Sequence, residues 1–298
     1  MHKQYPINQS LFYRIVGLNQ LEQRLNIKLS RLDKLLKEGS YRTWINDNGR
    51  EIQHPLGWLA DVHGKIALHL SKIETPDYVH SKKGRSYVTN AIEHKGYHPV
   101  VKTDISGFYP STSRQMVKNM FVHQFKCAKD VAGILADICC YQKKHLPTGS
   151  AISGYIAFFA NKYLFDAVNE IAKEKECVFT LYVDDLTISG SAATKSLIND
   201  VRNEIKRHGL STKQKKTQTF SSHSVKTITG VVIKGNQCLL PNYRHKKIDA
   251  TRTAIKNSLD FMEKEHLEKS LKGRLLEARQ IKDYSDGVKD LYPSLREY

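Results

Sequence analysis

Two adjacent carboxylates, Asp184 and Asp185, stand between two apolar, β-prone runs. Val178–Val183 predicts one strand and Leu186–Ile188 another, so the acids fall at a hairpin turn. Asp tolerates the left-handed backbone of such turns, which leaves a purely structural role open. Adjacent like charges repel, however, unless a cation lies between or beside them. The pair therefore predicts a divalent ion bound by oxygen ligands, and Mg²⁺ is the usual ion where phosphates are handled.

A third carboxylate, Asp104, follows the predicted strand Pro99–Thr103. The chain then turns at Ser106-Gly107, and a helix is predicted from Pro110 to about Phe125. Taken alone, such an acid is more often a turn or capping residue than a metal ligand. Taken with the paired acids, it predicts two Mg²⁺ ions about 4 Å apart, held for an in-line phosphoryl transfer.

The composition indicates a polyanionic partner. The chain has 298 residues, 47 Lys plus Arg against 30 Asp plus Glu, and a formal charge of +17. Each phosphate that a basic side chain neutralises releases a counterion, which favours nucleic acid. Residues 201–240 are the most uneven stretch, with eight basic residues against Glu204 alone. A solvated basic face remains the simpler interpretation of any single lysine there.

Apolar periodicity predicts the elements that must position these acids. A leucine stripe at Leu18, Leu21, Leu25, Leu29, Leu32, Leu35 and Leu36 predicts a helical start that stops at Gly39. Further helices are predicted over residues 56–73, 156–171 and 197–205, the last with a stop at Gly209, and residues 241–282 are predicted to form a strongly helical lobe. Residues 225–233 and 237–240 predict a hairpin around Gly235.

The cysteines and the N-terminus indicate a cellular compartment. The five cysteines form no CxxC pair, which predicts a reduced protein without a zinc site. The N-terminal segment is not apolar and no run approaches membrane-spanning length. We therefore expect a cytoplasmic protein with no membrane partner.

The motifs around the three acids resemble those of reverse transcriptases. Tyr182-Val183-Asp184-Asp185 is similar to the family's catalytic box, and Asp104 with Phe108-Tyr109 is similar to its first metal-binding motif. Three more stretches follow in the family's order and resemble the fingers motif, the template and nucleotide loop, and the lysine motif: Gly49–Pro55, Leu146–Ser150 and Lys216-Thr217. The resemblance covers residues 40 to 240.

Two further segments narrow the resemblance to bacterial retron reverse transcriptases. Asn90–His94 is similar to their Asn-Ala-x-x-His segment, and Ile228-Thr229-Gly230 is similar to their Val-Thr-Gly segment. The resemblance implies an α+β, right-hand polymerase fold with fingers, a palm with an antiparallel sheet, and a helical thumb. It divides the chain into an N-terminal helical segment, fingers, palm, and a thumb or RNA-binding lobe, at residues 1–40, 41–95, 96–240 and 241–298.

The resemblance also implies roles for individual residues. Asp104, Asp184, Asp185 and the Ile105 carbonyl would hold two Mg²⁺ ions, for which Mn²⁺ could substitute. Tyr109 occupies the position of a steric gate, Arg50 would pair with the triphosphate, and Gly149 would let the backbone approach the base pair. Lys216 could protonate the leaving group or only add positive potential. Template, primer or RNA contacts are expected from Lys82, Lys83, Arg85, Asn90, His94, Thr148, Thr229 and Gly230, with a structural role as the alternative for His94.

As to function, the resemblance implies an RNA-directed DNA polymerase that uses dNTPs. It would copy its own structured noncoding RNA into branched DNA, starting from a 2′-hydroxyl of an internal guanosine, and serve in antiphage defence with an effector or toxin protein encoded nearby. Three alternatives remain open. They are a reverse transcriptase of intron or diversity-generating type, an RNA-copying RNA polymerase, and a non-catalytic nucleic-acid-binding protein on a polymerase scaffold.

Overall fold

A computed structural model describes residues 4–36 and 39–285 of the chain, without the side chains of residues 33, 35 and 285. These residues form two compact units, each assembled from three stretches of sequence. The first comprises the chain up to Asp77, Ile105–Asn169 and Arg202–Lys213, and the second comprises Tyr78–Asp104, Glu170–Val201 and the chain from Gln214 onward. The division into four successive segments stays a prediction. Its parts at residues 1–3, 37–38 and 286–298, and the side chain of Leu35, lie outside the described residues.

The predicted α+β class is confirmed, because helices and antiparallel strands alternate along the described chain. The helices are α1 Leu18–Leu25, α2 Leu32–Leu36, α3 Gly57–Leu70, α4 Tyr87–Ile92, α5 Phe108–Ser111, α6 Arg114–His123, α7 Lys129–Cys139, α8 Ser153–Ala160, α9 Lys162–Lys173, α10 Lys195–Arg207, α11 Asn242–Asn257 and α12 Phe261–Ser285. The strands are β1 Tyr41–Ile45, β2 Glu51–Pro55, β3 Val100–Asp104, β4 Val178–Tyr182, β5 Asp185–Ser189, β6 Gln218–Phe220, β7 Lys226–Ile228, β8 Val231–Lys234 and β9 Gln237–Leu239. Short 3-10 helices lie at Ile7–Gln9, Leu29–Arg31 and Gln214–Lys216.

Three helices predicted as continuous are interrupted in the structure. The leucine stripe is broken after α1, because Asn26 adopts the left-handed conformation (φ 54°, ψ 50°) that ends helices. The helix expected from Pro110 to Phe125 is divided at Thr112, and Ser113 caps α6 by accepting a hydrogen bond from the Met116 amide at 3.3 Å. Asn161 separates α8 from α9, and its side-chain amide donates to the Ala157 carbonyl at 2.9 Å.

The second unit contains an antiparallel sheet in the order β4-β5-β3-β6. Both predicted strands of the acid-bearing hairpin are confirmed, with β4 and β5 pairing from Val178↔Ser189 to Tyr182↔Asp185. The strand predicted before Asp104 is confirmed as β3, and it includes Asp104 itself. Most residues of β3, β4 and β5 are buried, which places these strands in the interior of the unit.

A second antiparallel sheet, in the order β7-β8-β9, lies in the same unit. The expected single strand over residues 225–233 is wrong: Thr229 and Gly230 both have positive φ, at 43° and 84°, and form a two-residue turn between β7 and β8. The predicted turn around Gly235 is confirmed between β8 and β9. This sheet, α4, β3 and α12 share a core made of Val88, Ala91, Val100, Ile228, Val231, Ile233, Cys238 and Ile281.

The C-terminal helices agree with the prediction of a helical segment from Pro241 to about Lys282. Pro241 precedes α11, where its missing amide costs no hydrogen bond, and α12 runs to Ser285. None of the helices in the described ranges combines the length and the hydropathy of a membrane span. The five cysteines are all buried, and none is paired with another in a disulfide.

Candidate active site

The strand register brings the three carboxylates to one end of the β4-β5-β3-β6 sheet. In the antiparallel pairing of β3 with β5, Asp104 lies directly opposite Asp185. Directly opposed residues of an antiparallel pair have neighbouring side chains. Asp184 precedes Asp185 in the turn from β4. Residues about eighty positions apart in sequence therefore meet at this corner because their strands pair.

The turn that carries Asp184 has a strained backbone. Tyr182 pairs with Asp185, so Val183 and Asp184 form a two-residue hairpin turn. Val183 has φ +60°, and a β-branched residue in this region costs about 1–3 kcal/mol. The left-handed residue is thus Val183 and neither Asp. Its amide donates to Ser81 Oγ at 3.3 Å, which helps to hold the turn.

Two lysines complete the electrostatics of the corner. Lys216 Nζ lies 2.6 Å from Asp104 Oδ2, and the Asp104 side chain is only 3% exposed. The hydrogen bond to Asp104, aided by the charges of Asp185 and Asp184, raises the pKa of Lys216. Burial lowers the pKa of Lys102, which Asp185 and Asp104 partly oppose. All three acids therefore act on the same ammonium group of Lys216.

The donors at this corner suit a hard divalent cation. Three carboxylates supply only oxygen ligands, which Mg²⁺ and related ions prefer. The ammonium of Lys216 already lies beside Asp104, where a cation is stabilised. Within the part of the chain that the structure describes, no three His, Cys, Asp or Glu side chains are grouped so that they could hold a metal ion. The carboxylates suit a divalent ion by their donor chemistry but are not grouped in the described residues as a formed metal site, so metal binding stays a prediction.

Ile105 and Tyr109 belong to the first unit. Ile105 is fully buried and forms an antiparallel bridge with Thr212. The half-buried Tyr109 contacts the Phe108 ring at a centroid distance of 5.9 Å, and its hydroxyl faces Gly154 of α8. Tyr109 therefore packs against Phe108, while the metal-ligand role of Ile105 and the steric-gate role of Tyr109 stay predictions.

The Thr148-Gly149 loop is fastened to β2 in the same unit. Thr148 Oγ1 donates to the Glu51 carbonyl at 2.6 Å, and the Gly149 amide donates to the Gln53 carbonyl at 3.1 Å. A Cβ at Gly149 would lie 2.8 Å from Ile52 Cγ2, so the loop packs too closely for any side chain. The glycine is thus required by contact with β2, while its approach to a base pair stays a prediction.

Arg50 ends the tip of the β1–β2 hairpin in an exposed position. Its amide donates to Asn46 Oδ1 at 3.0 Å, and its carbonyl accepts from the Asn46 amide at 2.9 Å. These two bonds order the backbone of the tip. Pairing of Arg50 with a triphosphate stays a prediction.

The expectation that Asn90 and His94 contact RNA is wrong for this structure. Both residues are fully buried. The ring of His94 hydrogen-bonds Ser189 Oγ through Nδ1 and Thr180 Oγ1 through Nε2, each at 2.7 Å. Burial, followed by the nearby His80 and His98, lowers its pKa to about 3. The alternative structural role of His94 is the one that the contacts support: it joins α4 to β4 and β5.

The basic loop Lys82-Lys83-Gly84-Arg85 lies directly before α4. It follows Ser81, the residue that holds the Val183 amide. Arg85 Nη1 contacts His80 Nε2 at 3.1 Å, and Lys83 is exposed. The loop therefore lies beside the acid-bearing hairpin, and its contact with RNA stays a prediction.

Thr229 and Gly230 form the β7–β8 turn beside the same corner. Thr229 Oγ1 donates to the Tyr87 carbonyl at 2.7 Å. Lys102 Nζ donates to the Thr227 carbonyl at 2.6 Å, which links this turn to the strand that ends in Asp104. Lys102 was missed at the sequence level, although it lies two residues before Asp104 and so on the same face of β3. A lysine within an otherwise apolar strand was the available signal.

Comparisons with known proteins agree with the motifs. Residues 34–233 match a family described as reverse transcriptase (RNA-dependent DNA polymerase). The retron Se72 reverse transcriptase of Salmonella heidelberg (strain 579083-10) is 29% identical over 240 residues, which cover 74% of this chain and 62% of that protein. The retron Ec86 reverse transcriptase of Escherichia coli is 26% identical over 226 residues, which cover 75% of this chain and 68% of that protein. These matches confirm the predicted resemblance to bacterial retron reverse transcriptases.

Two further matches are more partial. The retron Ec48 reverse transcriptase of Escherichia coli is 28% identical over 180 residues, which cover 59% of this chain and 44% of that protein. The alignments with Se72 and Ec48 thus span less than two thirds of those proteins. Apo telomerase from Candida tropicalis, truncated from its C-terminal domain, aligns with 67% of this chain and 54% of its own, at 11% identity and a TM-score of 0.44. That similarity is too low to support an argument.

Proposed function

The chain belongs to the reverse transcriptase family, and on that premise we propose that it is an RNA-directed DNA polymerase of a retron. It would extend a nucleic-acid strand with dNTPs while copying RNA. In this proposal the two sheets of the second unit form the palm, the β1–β2 hairpin belongs to the fingers, and α11 with α12 forms the thumb.

One observation carries the proposal: Asp104 lies opposite Asp185 in the β3–β5 register, with Asp184 in the adjoining turn. Nucleotidyl transfer needs negative oxygen ligands concentrated where a triphosphate and a hydroxyl must meet. A merely structural turn does not need a third carboxylate from a distant strand. Moreover, Asp104 is almost completely buried, and a charge at such a site must be compensated.

Asp104, Asp184 and Asp185 would hold the divalent ions, with Mg²⁺ as the physiological ion, Mn²⁺ as a substitute and the Ile105 carbonyl as a further ligand. Bound ions would supply Lewis-acid stabilisation of the attacking and leaving oxygens. The strained turn at Val183 and its bond from the amide to Ser81 Oγ fix where the two acids of the hairpin point.

The remaining roles are taken by side chains that bind, orient or donate a proton. Lys216 carries a proton that its contact with Asp104 stabilises, so it can donate to the departing pyrophosphate or offset its charge. Arg50 would bind the triphosphate through its forked donors. Tyr109 would exclude the 2′-hydroxyl of a ribonucleotide, and Gly149 with Thr148 would shape the loop that receives the template.

The finer part of the proposal concerns the retron. The chain would bind its own structured noncoding RNA, prime from a 2′-hydroxyl of an internal guanosine and produce branched RNA-linked DNA. Together with an effector or toxin protein encoded nearby it would act in antiphage defence. Support comes from the similarity to the Se72 and Ec86 retron reverse transcriptases and from the basic loop at Lys82, Lys83 and Arg85.

Primer extension on an RNA template tests the polymerase. We expect Asp104→Asn and Asp185→Asn to reduce the extension rate on the order of a thousandfold, since each removes a charged ligand worth several kcal/mol. Asp200→Asn, at an exposed position of α10, is the matched control and should leave the rate unchanged. Undiminished synthesis by the Asp104 and Asp185 variants would refute the proposed site, and preference for ribonucleotides would identify an RNA polymerase.

The retron assignment has a separate test. Nucleic acid that copurifies with the protein should contain a species in which RNA and DNA are covalently joined, and sequencing across the junction should end at one internal guanosine. Unbranched DNA with a free RNA primer, made by an otherwise active enzyme, would instead identify a reverse transcriptase of another type.

A further inference from the structure

Arg244, in the first turn of α11, contacts three separate parts of the second unit. Its guanidinium carbon lies 5.3 Å from the centre of the Tyr87 ring, and Nη1 donates to the Tyr87 hydroxyl at 3.1 Å. Nη1 also forms an ion pair with Glu277 of α12, and Nε donates to the Tyr243 hydroxyl at 2.9 Å. The side chain of Arg244 is only 21% exposed. The guanidinium thus joins the start of α4 to both C-terminal helices.

The β7–β8 turn packs against the same guanidinium. A Cβ at Gly230 would lie 3.2 Å from Arg244 Nη2, so the backbone of the turn approaches the side chain closely. Thr229, beside it, has φ +43°, which a β-branched residue holds only where its surroundings enforce it. At Thr229 the partner is the Tyr87 carbonyl, which accepts from Thr229 Oγ1, and at the adjoining Gly230 the neighbour is Arg244 Nη2.

The strand that leads into the turn is also linked to β3, the strand that ends in Asp104. Lys102, whose charge interacts with Asp185 and Asp104, donates from Nζ to the Thr227 carbonyl at 2.6 Å. A displacement of the turn would therefore move Lys102 and alter the corner at Asp104, where the end of the extended strand is proposed to lie. Tyr87, Tyr243 and Glu277 engage the Nε and Nη1 donors of Arg244, and Nη2 lies against the backbone of the turn at Gly230.

We propose that Arg244 is a positioning residue, which holds the Thr229-Gly230 turn in the conformation that receives the end of the strand to be extended. The inference rests on the proposed polymerase function and adds to it a residue that contacts neither metal, nucleotide nor template. Because Arg244 acts through the turn, its loss should weaken binding of the primer–template and leave binding of the nucleotide intact. Arg is required rather than Lys, because only a planar fork can stack on Tyr87 while pairing with Glu277.

The experiment compares the full-length wild type with Arg244→Ala, Arg244→Lys and Glu277→Gln. Arg252→Ala, on the exposed side of the same helix, is the matched control. Three quantities are measured: the Kd of a fluorescein-labelled DNA primer on an RNA template by anisotropy, the KM for dNTP, and hydrogen exchange of the amides in residues 225–234. For Arg244→Ala we expect the Kd to rise about tenfold, the typical effect of losing charge-assisted bonds, with the KM for dNTP unchanged.

Faster hydrogen exchange of the turn should accompany the weaker binding, and Arg244→Lys and Glu277→Gln should show smaller changes of the same kind. If the alanine variant does not fold, these two conservative variants decide the question. Unchanged Kd and unchanged exchange of the turn, or equal losses in the Kd and in the KM for dNTP, would overturn the inference. A wild-type protein that binds the primer–template but does not extend it would refute the polymerase function. The binding and exchange data would still test whether Arg244 positions the turn.

Discussion

Acidification should destabilise this protein through His94, and the effect can be calculated. The ring is fully buried, and both of its nitrogens are engaged by Ser189 and Thr180. Burial, with smaller contributions from His80 and His98, lowers its pKa from 6.5 to about 3. Below pH 6.5 the unfolded chain therefore binds a proton that the folded chain does not. The stability that neutral, buried His94 contributes is complete above pH 6.5 and is lost as the pH falls toward its pKa in the folded state.

Between pH 7 and pH 5 the predicted loss is about 2 kcal/mol, obtained by integrating the proton uptake of an unfolded histidine over this interval. The value depends little on the folded-state pKa, provided that it stays below about 4. His63 is also buried, and its pKa is lowered to about 4, mainly by burial. Protonation of unfolded His63 should therefore also lower the stability as the pH falls, and the comparison of variants must separate this contribution from that of His94.

The assay is urea unfolding of the wild type, His94→Gln and His266→Gln at pH 7, 6 and 5. Glutamine cannot take up the proton, so the pH dependence of His94→Gln should be smaller than that of the wild type by about 2 kcal/mol over this range. His266→Gln, at an exposed position of α12, should follow the wild type. The contribution of His63 is common to all three proteins and cancels in the comparison.

Parallel pH dependences for the wild type and His94→Gln would refute the reasoning. They would mean that His94 is accessible to protons in the folded state, and an RNA-facing role would then be open again. A lower stability of the variant at every pH would not rescue the prediction, because only the change with pH reports the proton.

Two further predictions concern the loop on β2 and the lysine beside Asp104. Gly149→Ala should lower the free energy of unfolding by about 1–3 kcal/mol, because the new methyl group would overlap Ile52. Gly64→Ala in α3, where the space is open, is the control and should be neutral or stabilising. Equal effects of the two substitutions in urea unfolding would contradict the packing argument. Lys216→Met should slow single-turnover extension about a hundredfold, and Lys216→Arg should restore the rate if positive potential is sufficient but not if a proton is donated. The pKa of Lys216 is raised above its ordinary 10.5, so this residue should stay protonated at all pH values below 10.5. The extension rate should therefore not fall through deprotonation of Lys216 as the pH is raised toward that value. A fall that occurs in the wild type and not in the methionine variant would contradict the assignment.

The acid-bearing hairpin was predictable from sequence because the pattern that indicates it is local. Apolar runs on both sides of Asp184 and Asp185 indicate strands whatever lies elsewhere, and β4 and β5 follow that pattern. The strand before Asp104 has the same kind of signal. The pairing of β3 with β5 was not readable from periodicity, and only the family motifs implied that these acids meet.

What could not be predicted depends on tertiary context. Val183 and Thr229 have positive φ although β-branched residues disfavour it, because partners distant in sequence hold them there. Asn90 and His94 are polar, and nothing in their neighbourhood along the chain indicates complete burial. Likewise, the contacts of Arg244 with Tyr87 and Glu277 join residues more than thirty positions apart.

The order of strands in the acid-bearing sheet has a consequence for biosynthesis. β3 is made first yet lies between β5 and β6, which leave the ribosome much later. Until Asp185 has been translated, the strand that ends in Asp104 lacks its partner on one side, and until Phe220 it lacks the partner on the other. Such non-local pairing is slow to form and leaves strand edges open to other chains. We therefore expect a nascent polypeptide stalled before Phe220 to aggregate more readily than the full-length chain.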